Sequence, residues 1–414
     1  MSSIEKSNRA LSSPRSMQLL LVVFLALLAI VPFQAQGGPD VVVWRAWIEA
    51  TRQVGIVTAA AGATEGYPPL TWLLFMVVSS LSDVTDIDTV QALRWSLVAF
   101  LGLTSAVFFV WTRNLLLTAV LYISLLLSSV ALVYLDVYMA PALLLALWAL
   151  KQGRIFWFSA FYTLACLTKW QPLILGPFLL AHIICSHRSA GWRSVLAVLI
   201  RDAAPPACLL IGGAAILFGR PVLTALSEGI NEQYLSGDAL NYNWLLTHYL
   251  RVTEPGRYGP LIDGVADYIK TADWSVVGFS RLLFWAFYVS TLTIFVRRPQ
   301  SFDNVLRFLI VGYLSYVTFN TGVHENHLFI PALLSIVLYW VRRSDFPVAL
   351  ILVVFANVNL IVFFGINGAP AYPRVVGLDV ALPLSLFAVA FFLVLWAGTC
   401  WPKVVSEGPR AWTV

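Results

Sequence analysis

Apolar runs long enough to cross a lipid bilayer recur from Met17 to Trp401, and most are separated only by short polar stretches. Such runs are typical of transmembrane helices, because a bilayer core requires about 20 apolar residues per helical crossing. Only 11% of the residues are charged and 59% are hydrophobic, which excludes a sizeable soluble domain. We therefore predict an all-α polytopic integral membrane protein, with residues 1–414 forming a single unit.

Charge and motif content exclude several classes of function. The net charge is +5, but the basic residues are scattered between apolar runs, so we reject nucleic acid as a partner. The sequence contains no P-loop, dinucleotide-binding glycine pattern, serine-hydrolase elbow or Cys-x-x-Cys pair, and it implies no cofactor. The four cysteines are widely separated and lie in or beside apolar segments, where an unpaired cysteine packs as a small hydrophobe.

Twelve apolar runs are predicted to span the membrane. They lie near 17–34, 92–110, 115–133, 137–150, 155–168, 171–185, 203–218, 279–296, 304–320, 327–341, 346–366 and 379–398. The first run follows a basic N-terminus and has some features of a signal peptide. We favour an uncleaved span, because Gln34-Ala35-Gln36 is a poor cleavage site.

A thirteenth apolar run, residues 68–82, is too short to be assigned by length, since it reaches only ~22 Å against a ~30 Å hydrocarbon core. Loop charge decides the question, because Lys and Arg are retained in cytoplasmic loops. If 68–82 does not cross, the basic turns at 151–154, 297–298 and 342–343 are all cytoplasmic, whereas a crossing would place them outside. We therefore predict a helix that lies along, or dips into, the outer leaflet.

This topology places the longest polar segments on the external side. Two long loops cover about 35–91 and 219–278, and shorter external turns lie at 134–136, 168–171, 321–327 and 367–378. We therefore expect the chemistry of the protein to lie on this side of the membrane.

The first external loop begins with an acidic residue before an amphipathic segment. Trp44, Trp47, Ile48 and Thr51 recur at helical spacing opposite Arg45, Glu49, Arg52 and Gln53. Asp40, at the start of this predicted surface helix, has two alternative roles. Its carboxylate either caps the helix by accepting a backbone N–H, or serves as a general base at the membrane surface.

Other polar residues lie at predicted external helix ends, and each has an ordinary structural role as an alternative. The segment GYPPL (66–70) contains Tyr67 and is consistent with a simple helix start. Asp136 is more often a cap, Lys169 more often extends to lipid headgroups, and Gln171 precedes a proline that begins a helix.

The turn GVHENH (322–327) is the densest polar cluster between two predicted spans. His324 and His327 lack the HExxH spacing of a zinc site, so we do not predict a metal there. A charged or hydrogen-bonding contact to a phosphate is the better functional interpretation, and Arg374 is a candidate to share it.

Five segments together resemble a family, the polytopic GT-C glycosyltransferases that use a lipid-phosphate sugar. The resemblance is greatest to dolichyl-phosphate-glucose-dependent glucosyltransferases and bacterial mannosyltransferase-like relatives. The segments are PDVVVWRAWIEA (39–50), GYPPL (66–70), TKWQP (168–172), LSGDALNYNWLL (235–246) and GVHENHLFIPALL (322–334). The resemblance implies a GT-C-like bundle of about 12 transmembrane helices, with juxtamembrane helices in the first external loop.

The resemblance also implies an activity, the inverting transfer of a hexose, mannose or glucose, from a polyprenyl-phosphate carrier to a lipid-linked glycan or other acceptor. Transfer would occur on the outer face of a membrane that we expect to be a bacterial plasma membrane. Asp40 would be the base, and His324 would contact the donor phosphate together with Arg374 and Lys169. The residues expected to contact substrate are Glu325, Tyr67, Asp136, Gln171 and Trp44.

Two other functions compete with this one. A transporter or lipid-carrier flippase would share the number of spans, but its ionisable groups are expected in mid-span, whereas here they lie at external helix ends. A non-catalytic assembly subunit is the other alternative, and in that case Asp40 would be only a helix cap.

Overall fold

The computed structural model describes residues 14–63, 66–230, 232–369, 374–375 and 378–401, without the side chains of 14–20, 230, 374–375 and 378. Most of these residues are helical, in agreement with the predicted all-α membrane protein. Within the described ranges one pair of strands occurs, β1 (Arg374–Val375) antiparallel to β2 (Leu378–Asp379). The basic residues of the N-terminus and of the C-terminal tail lie outside this description.

Nine helices cover the first half of the described chain. They are α1 (Pro14–Ile30), α2 (Val41–Val54), α3 (Ile56–Gly62), α4 (Pro69–Thr85), α5 (Thr89–Thr112), α6 (Leu115–Leu126), α7 (Ala140–Lys151), α8 (Ile155–Thr168) and α9 (Gly176–Arg188). Short 3-10 turns precede or follow several of them, at Val31–Gln34, Leu135–Tyr138 and Gln171–Leu175, and a π-helical turn covers Leu127–Ala131.

The second half continues with helices and three further irregular turns. The helices are α10 (Trp192–Val198), α11 (Ala204–Phe218), α12 (Pro221–Ile230), α13 (Tyr242–Thr253), α14 (Pro255–Tyr258), α15 (Trp274–Phe295), α16 (Phe302–Phe319), α17 (Phe329–Val341), α18 (Phe346–Phe364) and α19 (Ala381–Cys400). The turns are a π-helical one at Leu199–Ala203 and 3-10 turns at Glu325–Leu328 and Arg343–Asp345.

Capping residues explain where four of the helices begin. Asp88, Asn114, Asn241 and Asp273 precede α5, α6, α13 and α15, and each side chain accepts a backbone N–H of the first turn. Such a bond satisfies one of the N–H groups that a helix start leaves without an internal partner. The sequence therefore sets these helix boundaries locally.

Within the described residues, five helical stretches are long and apolar enough to span a membrane: Thr89–Thr112, Trp192–Phe218, Trp274–Phe295, Arg343–Phe364 and Ala381–Cys400. Other apolar helices are shorter, at 10–17 residues. The expected number of about twelve spans therefore stays a prediction.

One predicted span begins earlier than expected. The sequence predicts a span at 203–218, but the chain is helical from Trp192 onwards, and the π-helical turn joins α10 to α11. In that turn Arg201 Nε contacts Asp202 Oδ1 at 3.0 Å. Because neighbouring opposite charges partly neutralise each other, this turn can carry both side chains on the helix surface.

The core is centred on α7, α16 and α17, whose residues are buried on nearly all sides. One continuous cluster contains most of the buried apolar side chains, and a small second cluster lies under the loop around α13. By contrast, α11 and α19 expose large apolar residues such as Ile216 and Val394. An apolar outer face is what a lipid environment favours.

The amphipathic helix predicted after Asp40 is confirmed as α2. Its buried residues are Trp44, Trp47, Ile48 and Thr51, as the spacing predicts. They pack on α4, where Trp47 contacts Trp72 with ring centroids 5.2 Å apart. The same two helices also form an ion pair, in which Arg52 Nη2 of α2 lies 2.9 Å from Asp83 Oδ1 of α4.

Contacts at the two ends of α4 bear on whether this helix crosses the membrane. Near its start, Thr71 donates to the carbonyl of Thr168 at 2.6 Å. Beyond its end, Arg94 in α5 donates to the carbonyls of Phe33, at 2.7 Å, and Ala35. Residues 33–35 and 168 lie at the predicted external ends of the spans 17–34 and 155–168, so these contacts favour a helix that stays on the outer side.

A cysteine-labelling experiment tests this topology. With Cys185 and Cys208 replaced by serine, a cysteine at exposed Thr85 should react with a membrane-impermeant maleimide added to intact cells. A cysteine at exposed Gln152, on a turn predicted to be cytoplasmic, should react only after permeabilisation. Reaction at position 85 only after permeabilisation would show that α4 crosses the bilayer.

Candidate functional site

Polar side chains from distant parts of the chain meet where helices are interrupted on the predicted external side. Several are almost fully buried: Asp136, Lys169, Glu325, Asn326 and His327, each no more than 6% exposed. A buried ionisable group is costly unless it is paired and hydrogen-bonded. The arrangement of partners is therefore the main feature of this region.

Lys169, which follows α8, does not extend to the headgroups as its position suggested. Its Nζ donates to Tyr67 Oη at 2.7 Å and lies 3.9 Å from Asp136 Oδ2. Asn326 Nδ2 also donates to Asp136 Oδ2, at 2.7 Å. Asp136 lies within the 3-10 turn Leu135–Tyr138, whose N-cap position is Tyr134, and its carboxylate binds side chains from two other segments.

His324 lies between two carboxylates. Its Nε2 is 2.7 Å from Glu232 Oε1, and its Nδ1 is 3.9 Å from Glu325 Oε2. Burial on its own lowers the pKa of His324, but the charge and hydrogen bond of Glu232, with smaller effects from Glu325 and Asp40, raise it to about 10. At neutral pH the ring is therefore an imidazolium.

Glu325 binds the phenol of Tyr134, which donates to Oε1. Burial raises the pKa of Glu325 to about 8; the charge of His324 opposes this shift, and the charges of Asp40 and Asp238 add to it. Burial also raises the pKa of Tyr134, so the phenol keeps its proton and remains the donor.

His327 is a neutral structural residue of the same turn. Its Nδ1 faces Tyr316 Oη at 3.1 Å and the backbone N–H of His324 at 3.3 Å, so Nδ1 is the acceptor and Nε2 carries the proton. The amide nitrogen of Gln171 lies 3.0 Å from Nε2, and turning this amide by 180° would place its oxygen there to accept the proton. Burial lowers the pKa of His327 well below its usual range.

Asp40 occupies the N-cap position of α2, but its carboxylate makes no capping hydrogen bond. The physical reason is its backbone, which is already helical (φ −65°, ψ −17°), whereas a capping side chain requires an extended residue. Burial raises the pKa of Asp40, and the positive charges of His324 and Lys169 oppose this shift. The carboxylate is thus partly exposed, lies within the electrostatic influence of two cations, and makes no capping hydrogen bond.

Aromatic side chains lie between this centre and a neighbouring cleft. The ring centroid of Trp44 lies 5.0 Å from that of Tyr67, and the Trp44 indole N–H has no partner among the described residues. On the far side of Tyr67 is a cleft of about 110 Å³, to which Trp72, Arg220 and Glu228 also contribute. Tyr67 therefore contacts both the polar centre and an open space.

The second external loop holds His324 in place through Gly237. The Gly237 N–H donates to the carbonyl of Val323 at 2.8 Å, and the Glu325 N–H donates to the carbonyl of Gly237 at 3.1 Å. A Cβ at Gly237 would lie 2.5 Å from His324 Nδ1, so the loop requires glycine at this close approach. Burial raises the pKa of the next residue, Asp238, to about 6.

The structure brings together eight of the nine residues singled out from the sequence: Asp40, Trp44, Tyr67, Asp136, Lys169, Gln171, His324 and Glu325. Arg374 lies in β1, but its side chain is outside what the structure describes, so its proposed contact stays a prediction. Within the described ranges, no group of three His, Cys, Asp or Glu side chains is arranged to hold a metal ion.

Sequence reasoning missed Glu232 and the role of Gly237. Glu232 is an isolated carboxylate in a long loop, with no motif around it. Gly237 does lie in one of the family-like segments, and a glycine there is a recognisable sign of close backbone approach.

Comparisons with known proteins give no independent assignment. No protein-family model matches the chain, and no curated protein matches it. The resemblance to GT-C glycosyltransferases therefore rests on the motifs of the sequence alone.

The close approach at Gly237 gives a stability prediction. Gly237→Ala should lower the free energy of unfolding by about 1–3 kcal/mol, since the new methyl group must displace the His324 ring or the loop backbone. Thermal unfolding of the detergent-solubilised protein measures this. Gly256→Ala is the matched control, because a Cβ there meets nothing within 4 Å. Equal unfolding midpoints for both variants would contradict the proposed packing.

The raised pKa of Glu325 gives a pH prediction. The folded chain binds this proton more tightly than the unfolded chain, so Glu325 makes the free energy of unfolding fall as pH rises from about 4.5 to about 8. Across this pH range the free energy of unfolding should therefore fall by about 1–3 kcal/mol less in Glu325→Gln than in the wild type. Glu228→Gln, at an exposed position, should follow the wild-type profile, and a parallel profile for Glu325→Gln would refute the argument.

Proposed function

We propose that this protein is an inverting glycosyltransferase that moves a hexose from a polyprenyl-phosphate carrier to an acceptor hydroxyl on the external side of the membrane. The observation that carries the proposal is the state of Asp40. Its carboxylate makes no capping bond, has a raised pKa, and lies in a centre that also holds the cations Lys169 and His324. A carboxylate in such surroundings is a stronger base than a solvated aspartate.

In the proposed step, Asp40 removes the proton of the acceptor hydroxyl. The oxygen then forms a bond to the anomeric carbon of the donor, while the bond from that carbon to the phosphate oxygen breaks. The electron pair of that bond leaves with the phosphate, giving a polyprenyl monophosphate and a product of inverted configuration. The surrounding groups are held in place by their own partners, which favours catalysis by preorganised charge.

The cleft beside Tyr67 is the proposed place for the acceptor. The cleft is open, and Tyr67 in its lining also contacts Lys169. Its other lining residues include aromatic side chains, Arg220 and Glu228. Exposed charged groups and aromatic faces suit a ligand rich in hydroxyl groups. This arrangement supports an acceptor that carries sugar and approaches from the water side.

The decisive prediction concerns Asp40→Asn. Removing the base should lower the transfer rate by about 10²–10⁴-fold. The stability of this variant should hardly change, because the wild-type carboxylate makes no capping bond that could be lost. For the same reason, Asp40→Ala should also unfold near the wild-type temperature. Asp86→Asn is the control, since Asp86 is exposed and its left-handed backbone (φ 54°) is tolerated by asparagine.

The assay uses purified protein with radiolabelled farnesyl-phosphate mannose and farnesyl-phosphate glucose. Formation of farnesyl phosphate with transfer of the label to an added glycolipid, or to water as a slow substitute acceptor, would support the proposal. Near-native turnover by Asp40→Asn would exclude Asp40 as the base. Failure of the wild type to consume either donor, together with movement of intact donor across vesicle membranes, would favour the flippase alternative.

A further inference from the structure

Arg281 is a cation within the apolar helix α15 that the sequence patterns do not single out. It lies seven residues after the start of the helix at Trp274, about 10 Å along the axis. Its neighbours Phe279, Leu282 and Trp285 are each more than half exposed, as expected for a face in contact with lipid. Arg281 is also close to the predicted external end of the span 279–296, where a long cationic side chain reaches the level of the lipid headgroups.

The guanidinium of Arg281 is largely unsatisfied. Its Nε donates to Thr321 Oγ1 at 3.0 Å, and within the described part of the chain this is its one hydrogen bond. A guanidinium has five N–H groups, so four are free to bind a ligand. By contrast, Lys169 and His324 already face Asp136 and Glu232.

Arg281 also borders the candidate site. Its partner Thr321 precedes Gly322, where an added Cβ would lie 3.1 Å from the Cβ of Glu232. Glu232 in turn pairs with His324. The guanidinium therefore lies between the lipid-facing surface of α15 and the edge of the polar centre, where the headgroup of a lipid substrate would enter.

We propose that Arg281 binds the phosphate of the lipid carrier, an inference that rests on the proposed function. The carrier combines an apolar chain with a phosphate, and it matches the exposed apolar face of α15 beside a free guanidinium. Arginine binds phosphate through two parallel N–H···O bonds, which lysine cannot reproduce. The carboxylates around His324 and Lys169 reduce the attraction of those cations for an anion, so we expect Arg281 to bind the phosphate more strongly than either of them.

Ligand binding without turnover tests this assignment. Farnesyl phosphate should raise the unfolding temperature of the detergent-solubilised wild type, whereas farnesol and inorganic phosphate at the same concentration should not. Arg281→Gln should weaken farnesyl phosphate binding about tenfold or more, as expected for the loss of charge-assisted hydrogen bonds. Arg281→Lys, which keeps the charge but not the paired donors, should bind with intermediate affinity.

Arg297→Gln is the matched control, because Arg297 is exposed just beyond the opposite end of α15. It should bind farnesyl phosphate like the wild type. Equal binding by wild type and Arg281→Gln would overturn the inference, while the donor-consumption assay would still decide the proposed function separately. Equal, Arg281-dependent stabilisation by phosphatidylglycerol would also overturn it, since Arg281 would then be a general headgroup contact.

Discussion

The buried ion pair between Lys169 and Asp136 is the interaction on which the polar centre depends. A buried charge is costly without a partner, and each member of the pair also makes a hydrogen bond to a third segment: Lys169 donates to Tyr67, and Asp136 accepts from Asn326. The pair therefore connects the start of α7, the end of α8, the first external loop and the turn before α17. These segments are remote in sequence, and the need to pair two charges holds them in one arrangement.

The charge balance of the centre bears on the proposed role of Asp40 as a base. Five acids surround two cations, the acids being Asp40, Asp136, Glu232, Asp238 and Glu325 and the cations Lys169 and His324. Full ionisation of all five would leave an excess of negative charge, and burial raises the pKa of Glu325 and Asp238 accordingly. Protons held on some of these groups allow the remaining carboxylates to stay charged.

Much of the first external loop could be predicted because its signals are local. The spacing of Trp44 and Trp47 defines the buried face of α2, and the positions of the prolines mark the start of α4. The cap role considered for Asp40 was also a local prediction, and it failed because it requires an extended backbone at this residue. Just before Asp40 the loop packs on a distant residue, since a Cβ at Gly38 would lie 3.2 Å from Tyr134 Oη, and no short motif encodes such a contact.

The sequence by itself determined the helical membrane class, because an apolar run must satisfy its backbone within a helix whatever its neighbours are. It also indicated that most of the charged residues lie at or beyond helix ends, because a charge within a span is costly. Tertiary structure alone decided that Lys169 is buried instead of reaching the headgroups, that Glu232 pairs with His324, and that Arg281 keeps free donors. The physical reason is that a side chain's partner depends on distances across the bundle, whereas helix formation depends on residues a few positions away.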